Sequence, residues 1–502
     1  MTTSSDLPQS AYQNLANIWT RAHHLGHLQA IASWDQAANM PPHGNEARAA
    51  AMAEMAVLLH GILTAPDLAA QHDAAEKESL SQQQRANLTE MKRQWVARTA
   101  IEPESVRRMQ MATARCEHAW RTQRPANDWQ GFLSNFKEVV SLSRLEAKAL
   151  SQKLGVPPYE ALMDQYEPGL TTATVDRVFN DVRTWLPGLI QQVVAQQAAQ
   201  TVAIAQGPFP IPQQRDLCET IMRLLGFDFQ AGRLDISTHP FCGGVPEDVR
   251  LTTRFNEQEF ITSLYGTIHE TGHARYEQGR PKDWLGQPAS QAKSMAIHES
   301  QSLFFEMQLG RHPGFLSQIA PLMKLQFGAH AAFEPENLAM LLTRVKPGFI
   351  RVDADEVTYP AHILLRYDIE RQLIQGDIEA EDIPALWDSA MHSLLGVDTR
   401  GNFKDGPMQD VHWPMGLFGY FPCYSLGAMY AAQWFASMRA TLPQLDSQIA
   451  AGDFQPIFDW LKTHIWQQAS FWPTDTLAQM ASGSSLNPAH FKNHLMQRYL
   501  RT

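Results

Sequence analysis

Apolar side chains recur every three to four residues along most of this chain, the spacing that places them on one face of an α-helix. Clear examples lie in residues 106–120, 132–150, 175–189 and 383–394. We interpret these stripes as faces that pack into a core, because apolar stripes at this spacing are mostly structural. Pro103 suits the first turn of one such helix, whereas Pro187 is expected to kink or end another. The pattern therefore predicts a mainly α-helical protein.

One segment departs from the helical pattern. Residues 233–255 mix β-branched side chains with a Gly243-Gly244 pair and contain few helix formers. They predict a small antiparallel hairpin or three-stranded sheet, with a turn at the two glycines. The glutamine-rich run 191–214 ends in GPFPIPQQ, and its prolines predict a helix exit followed by a surface connection.

Composition and charge narrow the classes of function. The 502-residue chain carries 41 Lys and Arg against 52 Asp and Glu, and its net charge of −11 argues against nucleic acid or an anionic membrane as a partner. Its four cysteines lie far apart without a C-x-x-C pair, as is typical of a reducing compartment. The sequence has no signal-peptide pattern and no apolar run of about 18 residues. We expect a soluble, cytoplasmic protein that acts on small molecules, peptides or proteins.

The sharpest chemical feature is H-E-T-G-H at residues 269–273, an H-E-x-x-H motif. On a helix His269 and His273 project from one face and can bind one metal ion, and Glu270 lies where it can contact water on that ion. Residues 257–268 carry an apolar stripe that supplies the required helix. Two other histidine pairs share the spacing without the glutamate, and we interpret them as surface or core residues: His23 with His27, and His490 with His494.

A catalytic zinc ion needs a third protein ligand and keeps a fourth position open for water. Glu277 continues the same helix face, but it lies about 12 Å from His269 along the helix axis, too far to share one ion. Glu299 is the better candidate, because its segment also predicts a helix and glycines and prolines before it allow an antiparallel return. His298 and Glu306 are rival ligands on that second helix.

These residues belong to an ordered series of motifs. The motifs are Trp34-Asp35, Met40-Pro41, His239-Pro240-Phe241, Asp248-x-Arg250-x-Thr252, H-E-T-G-H at 269–273, His298-Glu299-Ser300-Gln301, IRVDAD at 350–355 and GPMQDVHW at 406–413. In these motifs, spread from about residue 30 to 425, the sequence resembles the carboxypeptidase Taq family of metallocarboxypeptidases. The six motifs from His239 onward follow one another in order, which makes coincidence negligible.

The resemblance implies a fold and an activity. The fold would be mainly α, similar to that of neurolysin-like oligopeptidases, with a small antiparallel sheet near the active-site cleft. Residues 1–502 would form a single domain around a deep central cleft, and the protein would be a homodimer. It would release single C-terminal amino acids from peptides with a free C-terminus, using one zinc ion per chain, or cobalt in its place.

The resemblance also assigns roles at the metal. His269, His273 and Glu299 would hold the ion, and Glu270 would act as general base. A metal ion lowers the pKa of water toward 7, and a carboxylate beside that water can accept its proton and later deliver it to the leaving amine. The residue types therefore suit peptide hydrolysis.

The substrate-side roles follow from the same resemblance. Arg351 would bind the free C-terminal carboxylate, and His412 and Tyr420 would face the scissile peptide, where either can donate to the oxyanion. Three further residues belong to motifs that shape the cleft: His239, Asp248 and Arg250. Pro360 departs from the family pattern and is expected to alter the approach to the helix that carries His362 and Tyr367.

Each substrate-side residue also has a structural interpretation. His412 with Trp413 fits a core pair, and Tyr420 fits an interior aromatic residue with a satisfied hydroxyl. Arg351 fits an ion pair with an acidic neighbour: Asp353, Asp355 or Glu356.

Two other functions remain open. One is a related zinc oligopeptidase that cuts internally and has no carboxylate anchor. The other is a noncatalytic helical scaffold that binds a metal. The presence of both Glu270 and Arg351 favours the carboxypeptidase.

Overall fold

Helices make up most of the protein, as the apolar periodicity predicts. The computed structural model describes residues 10–500. Its α-helices in that range are α1 Ala11–Ala38, α2 Asn45–Leu63, α3 Leu68–Ala75, α4 Gln82–Thr99, α5 Pro103–Gln123, α6 Trp129–Leu154, α7 Pro158–Met163, α8 Thr172–Gln197, α9 Ile211–Leu224, α10 Ile261–Gly279, α11 Met295–Leu303, α12 Pro313–Phe327, α13 Pro335–Leu342, α14 Tyr359–Gln375, α15 Ile383–Leu395, α16 Pro422–Thr441, α17 Leu445–Ala450, α18 Gln455–Leu461, α19 Thr474–Ser482 and α20 Ala489–Tyr499. Two short π-helical segments, Phe304–Leu309 and Lys462–Trp466, continue α11 and α18.

The segment predicted to be β forms a three-stranded sheet with the order β1-β3-β2. The strands are β1 Gly232–Ile236, β2 Cys242–Val245 and β3 Asp248–Thr253. β2 pairs with β3 in antiparallel fashion, but β1 pairs with β3 in parallel, so the prediction of an antiparallel sheet was wrong for one of the two pairs. The reason is the path of residues 237–241, which carries the chain from one edge of β3 to the other. The predicted turn also lies later, at residues 246–247, because Gly243 and Gly244 belong to β2.

The predicted effects of the prolines on their helices are confirmed in one case and not in another. Pro103 begins α5, as predicted, and the glutamine-rich run leaves α8 at Gln197 before α9 begins at Ile211. Pro187, however, does not end its helix: α8 continues through it to Gln197, because buried Leu186 and Leu189 hold the helix in the core on both sides. Pro360 lies in the first turn of α14, where a missing N–H costs no helical hydrogen bond.

The buried apolar residues form two clusters. The larger one runs from α5 to α20, and a smaller one joins α1, α3 and α4 with the end of α2. A cleft of about 1680 Å³ is lined on one side by α1 and α2 and on the other by α10, α11 and the loop after β1. The N-terminal helices therefore form one wall of the cleft.

Within residues 10–500, no single helix is long and apolar enough to cross a membrane, although the bent pair Pro42–Leu63 and Leu68–Ala75 together has sufficient length and apolar content.

Candidate metal centre and substrate cleft

Two helices bring the predicted ligands together. α10 carries His269 and His273, and α11 carries Glu299. The Nε2 atom of His269 lies 3.4 Å from Glu299 Oε1, and the Nε2 atom of His273 lies 3.3 Å from Glu299 Oε2. The three ligand atoms lie within 4.8 Å of one another, a spacing at which they can hold one ion. The choice of Glu299 over its rivals agrees with this geometry.

The two rival ligands instead bond to the far side of the imidazoles. His269 Nδ1 lies 2.9 Å from Glu306 Oε2, and His273 Nδ1 lies 2.6 Å from His298 Nδ1. His298 Nε2 in turn lies 2.8 Å from Glu277 Oε1. If His298 donates to Glu277, its Nδ1 accepts the proton of His273 Nδ1. Both ligand histidines then present an unprotonated Nε2 to the metal position.

Two glycines let the helices approach closely enough for this geometry. A Cβ on Gly272 of α10 would lie 2.4 Å from the Gln301 carbonyl oxygen of the opposite helix. A Cβ on Gly427 of α16 would lie 2.8 Å from Glu299 Cβ. Any larger residue at either position would push Glu299 away from the imidazoles.

The helix that carries Glu299 begins at a buried cap. Ser294 Oγ accepts the Ile297 N–H at 2.9 Å, and the Glu167 carboxylate accepts from the Ser294 hydroxyl and from the Ala296 N–H. A carboxylate at a helix N-terminus is stabilised by the unpaired N–H groups and the helix dipole. Glu167 therefore fixes the start of α11, one turn before Glu299.

The electrostatics suit a cation. Burial favours the neutral form of Glu299, but the imidazoles of His273 and His269 outweigh it and lower the pKa of Glu299 to about 2. Glu299 is 1% exposed, and its Oε1 atom has no hydrogen-bond donor among the described residues. A buried carboxylate whose two oxygens each face an imidazole nitrogen, one of them without a donor, is well matched to a metal ion. Burial raises the pKa of Glu270, which lines the cleft next to the cluster.

Arg351 lies in the cleft wall and is almost fully buried. Its Nε and Nη2 atoms donate to Asp410, and its Nη1 atom lies 3.3 Å from the Tyr359 hydroxyl. The acidic neighbours offered by the sequence are not its partners. Arg366 binds the same Asp410 carboxylate at 2.6 Å, so two guanidinium groups share one negative charge.

His412 and Tyr420 both line the same cleft. His412 Nε2 lies 2.9 Å from the Tyr424 hydroxyl, and burial lowers the pKa of His412 to about 3, which keeps the ring neutral. The rings of His412 and Tyr420 lie 5.6 Å apart. The Tyr420 hydroxyl makes no hydrogen bond to residues 10–500, so the interpretation of a satisfied interior hydroxyl does not fit.

His239 and Arg250 differ in their placement. His239 lines the cleft, and its Nδ1 lies 2.9 Å from the Pro240 carbonyl oxygen, whereas its Nε2 has no hydrogen-bond partner in the described part of the chain. Arg250 is not in the cleft wall. It pairs with Asp248 at 2.8 Å, and its guanidinium lies 4.3 Å over the ring of Trp34. It joins α1 to the sheet.

Sequence reasoning missed Tyr424 and Asp410 as parts of the site. Tyr424 contacts both His412 and, at 4.5 Å, the Arg351 guanidinium. Tyr424 lies in the first turn of α16, which begins two residues after Tyr420, so its closeness to Tyr420 in sequence was the available signal. Asp410 stands in the motif that contains His412, but a contact with Arg351 has no local signal.

Fold and site together are those of a metal-dependent peptide hydrolase. The chain belongs to the carboxypeptidase Taq (M32) metallopeptidase family, whose model matches residues 14–499. It is 37% identical to thermostable carboxypeptidase 1 of Thermus thermophilus over 98% of this chain and 99% of that protein. It is 32% identical to carboxypeptidase 1 of Bacillus subtilis over 95% of this chain and 96% of that one.

A solved structure shows the same fold. Metallocarboxypeptidase 1 of Trypanosoma cruzi superposes with a TM-score of 0.94 at 46% identity, over 98% of this chain and 99% of that chain. The family resemblance and the mainly helical fold are thereby confirmed, and the protein is a metallocarboxypeptidase that acts on peptides.

Proposed function

We propose that this protein removes single residues from the C-terminus of peptides, with zinc held by His269, His273 and Glu299. The observation that carries the proposal is Arg351, which lines the cleft that contains the metal cluster and shares the single carboxylate of Asp410 with Arg366. The donor set of two histidines and one carboxylate is that of many catalytic zinc sites, which keep a fourth position open. A divalent ion there would polarise the scissile carbonyl and lower the pKa of water.

Glu270 is the proposed general base. It follows the first ligand directly, it lines the cleft, and it is buried enough that its pKa is raised. A raised pKa brings a carboxylate closer to the strength that proton transfer at neutral pH requires. Glu270 would accept the proton of the attacking water and return it to the leaving amine.

Tyr420 is a better donor to the developing oxyanion than His412. The Tyr420 hydroxyl is not engaged within the described chain, whereas His412 Nε2 is already bonded to Tyr424. A donor that is held in place before the reaction stabilises the negative charge without reorganisation.

Arg351 is the proposed anchor for the free carboxylate of the substrate. Arg351 and Arg366 share the one carboxylate of Asp410, which cannot neutralise both guanidinium charges. A buried charge is costly unless it is paired, and a substrate carboxylate would complete the pairing. The planar guanidinium suits a carboxylate, which lysine cannot match.

The first test follows the products of a short peptide in its free-acid and amidated forms by mass spectrometry. We expect a ladder that loses one C-terminal residue at a time from the acid, and little cleavage of the amide. An internal cut, or equal turnover of both forms, would indicate an oligopeptidase.

The second test removes the anchor. We expect Arg351→Ala to lower kcat/KM on the free-acid peptide roughly tenfold to a few hundredfold, because a hydrogen bond to a charged group contributes about 1.5–3 kcal/mol. The loss on the amide should be small, and Arg351→Lys should recover part of the activity on the acid. Asp410 keeps Arg366 as a partner in these variants, which protects the fold. Equal losses on acid and amide would make Arg351 a structural residue.

A further inference from the structure

A buried carboxylate with no part in the proposed chemistry lies behind the cleft wall. Glu370 of α14 is fully buried. Its Oε1 atom accepts the indole N–H of Trp413 at 2.8 Å. Its Oε2 atom accepts the backbone N–H of Gly419 at 2.9 Å and the hydroxyl of Tyr159 at 2.8 Å.

The two donors on the loop flank the proposed substrate-facing residues. Trp413 directly follows His412, and Gly419 directly precedes Tyr420. The backbone at Gly419 is also pressed against α7: its φ is +89°, and a Cβ there would lie 2.8 Å from the Met163 nitrogen. The loop between Trp413 and Gly419 is therefore hydrogen-bonded to Glu370 at both of its ends, next to His412 and next to Tyr420.

The same helix holds the loop at a third point. Arg366 lies four residues before Glu370, on the same face of α14, and binds Asp410. The segment from Asp410 to Tyr420 is thus fixed to one helix face. This arrangement connects the anchor Arg351, through Asp410, to the residues that face the scissile bond.

In its ionised form the Glu370 carboxylate can accept from all three donors, and even protonated it keeps an oxygen for each of the two loop N–H groups. Burial raises the pKa of Glu370 to about 7, while the Gly419, Trp413 and Tyr159 donors oppose that shift. An amide has only one acceptor oxygen, so one of the N–H groups would face a donor instead. The charge of Arg366 offsets part of the cost of burying this carboxylate, but an apolar side chain would fill the same space at less cost.

We infer that Glu370 is a positioning residue for peptide hydrolysis, whose carboxylate fixes the loop backbone so that His412 and Tyr420 face the cleft. This inference rests on the function proposed above for those two residues.

The test measures kcat and KM separately in Glu370→Gln. We expect kcat to fall about tenfold with KM little changed, because a misplaced oxyanion donor affects the transition state more than substrate binding. Metal content should stay native, since none of the ligands contacts Glu370. Tyr159→Phe is the matched control: it removes a hydrogen bond to the same carboxylate but leaves both loop donors, and kcat should stay within about twofold of wild type.

Measuring Glu370→Gln both in wild type and in the Tyr420→Phe variant separates a positioning role from a structural one. If Glu370 acts through Tyr420, Glu370→Gln should cost clearly less in kcat when Tyr420→Phe is already present. The same tenfold loss in both backgrounds, or native kcat in Glu370→Gln, would overturn the inference while leaving the proposed function in place. A native kcat in Tyr420→Phe would instead remove the proposed role of Tyr420, and this inference with it.

Should Glu370→Gln fail to fold, Trp413→Phe tests the same contact. It keeps an aromatic ring and removes the indole N–H that binds Oε1, together with part of the buried ring. A severalfold loss of kcat that shrinks in the Tyr420→Phe background is expected, and an unchanged kcat would overturn the inference.

Discussion

Removal of the metal by a chelator is expected to abolish peptide hydrolysis, and added zinc or cobalt to restore it. The cluster of His269, His273 and Glu299 offers three ligand atoms within 4.8 Å and a carboxylate oxygen without a donor. Without an ion, none of the cleft residues can lower the pKa of water toward neutrality in its place. Elemental analysis before and after treatment, paired with release of the C-terminal residue, is the measurement.

A ligand variant gives the same result without a chelator. Glu299→Ala should lose the metal in elemental analysis and with it nearly all activity, because two histidines alone make a weak site. His490→Ala is the matched control, since His490 has the spacing of a ligand pair with His494 but no glutamate beside it. It should keep both metal and activity. Full activity in protein that elemental analysis finds free of metal would contradict the metal-dependent mechanism.

The residues of the candidate metal centre could be predicted because residues close together in the sequence specify them. Two histidines four residues apart share a helix face, and the glycines and prolines before α11 allow an antiparallel return that delivers Glu299. The same reasoning named His298 and Glu306 as rivals of Glu299, and the structure places both at the Nδ1 atoms of the two imidazoles. Spacing along a helix shows which residues lie near the metal site. Whether such a residue binds the metal or a ligand histidine depends on the direction of its side chain, which spacing does not give.

The substrate side was less predictable because its contacts join distant parts of the chain. Arg351 pairs with Asp410, not with the acidic residues next to it in sequence. Arg250 was expected at the cleft, but it stacks on Trp34, more than 200 residues earlier. Both residues belong to motifs identified in the sequence. A motif, however, does not indicate which distant residues its side chains contact.

In the fold, too, features set by neighbouring residues could be predicted, whereas features set by contacts between distant residues could not. Helices and their first-turn prolines follow from short-range pattern, whereas the parallel pairing of β1 with β3 depends on how residues 237–241 cross the sheet. Pro187 did not end α8, because burial on both sides outweighs the lost hydrogen bond. The homodimer and the cytoplasmic location stay predictions, since neither follows from the fold of one chain.

Glu270→Gln is expected to keep the metal and lose most of kcat. The substitution preserves size and leaves all three ligand atoms in place, so metal content should match wild type. An amide cannot accept the proton of the attacking water, and loss of a general base costs about 10²–10⁴-fold in rate. KM should change little, because Arg351 and the rest of the cleft wall are untouched.

The controls separate loss of the base from loss of the site. Glu257→Gln makes the same chemical change at an exposed position shortly before α10, and it should have native kcat and native metal content. Glu299→Ala should lose metal, whereas Glu270→Gln should not, so elemental analysis tells the two kinds of inactivation apart. A Glu270→Gln protein with full metal and near-native kcat would exclude Glu270 as the base. Proton transfer would then have to come from another group that lines the cleft.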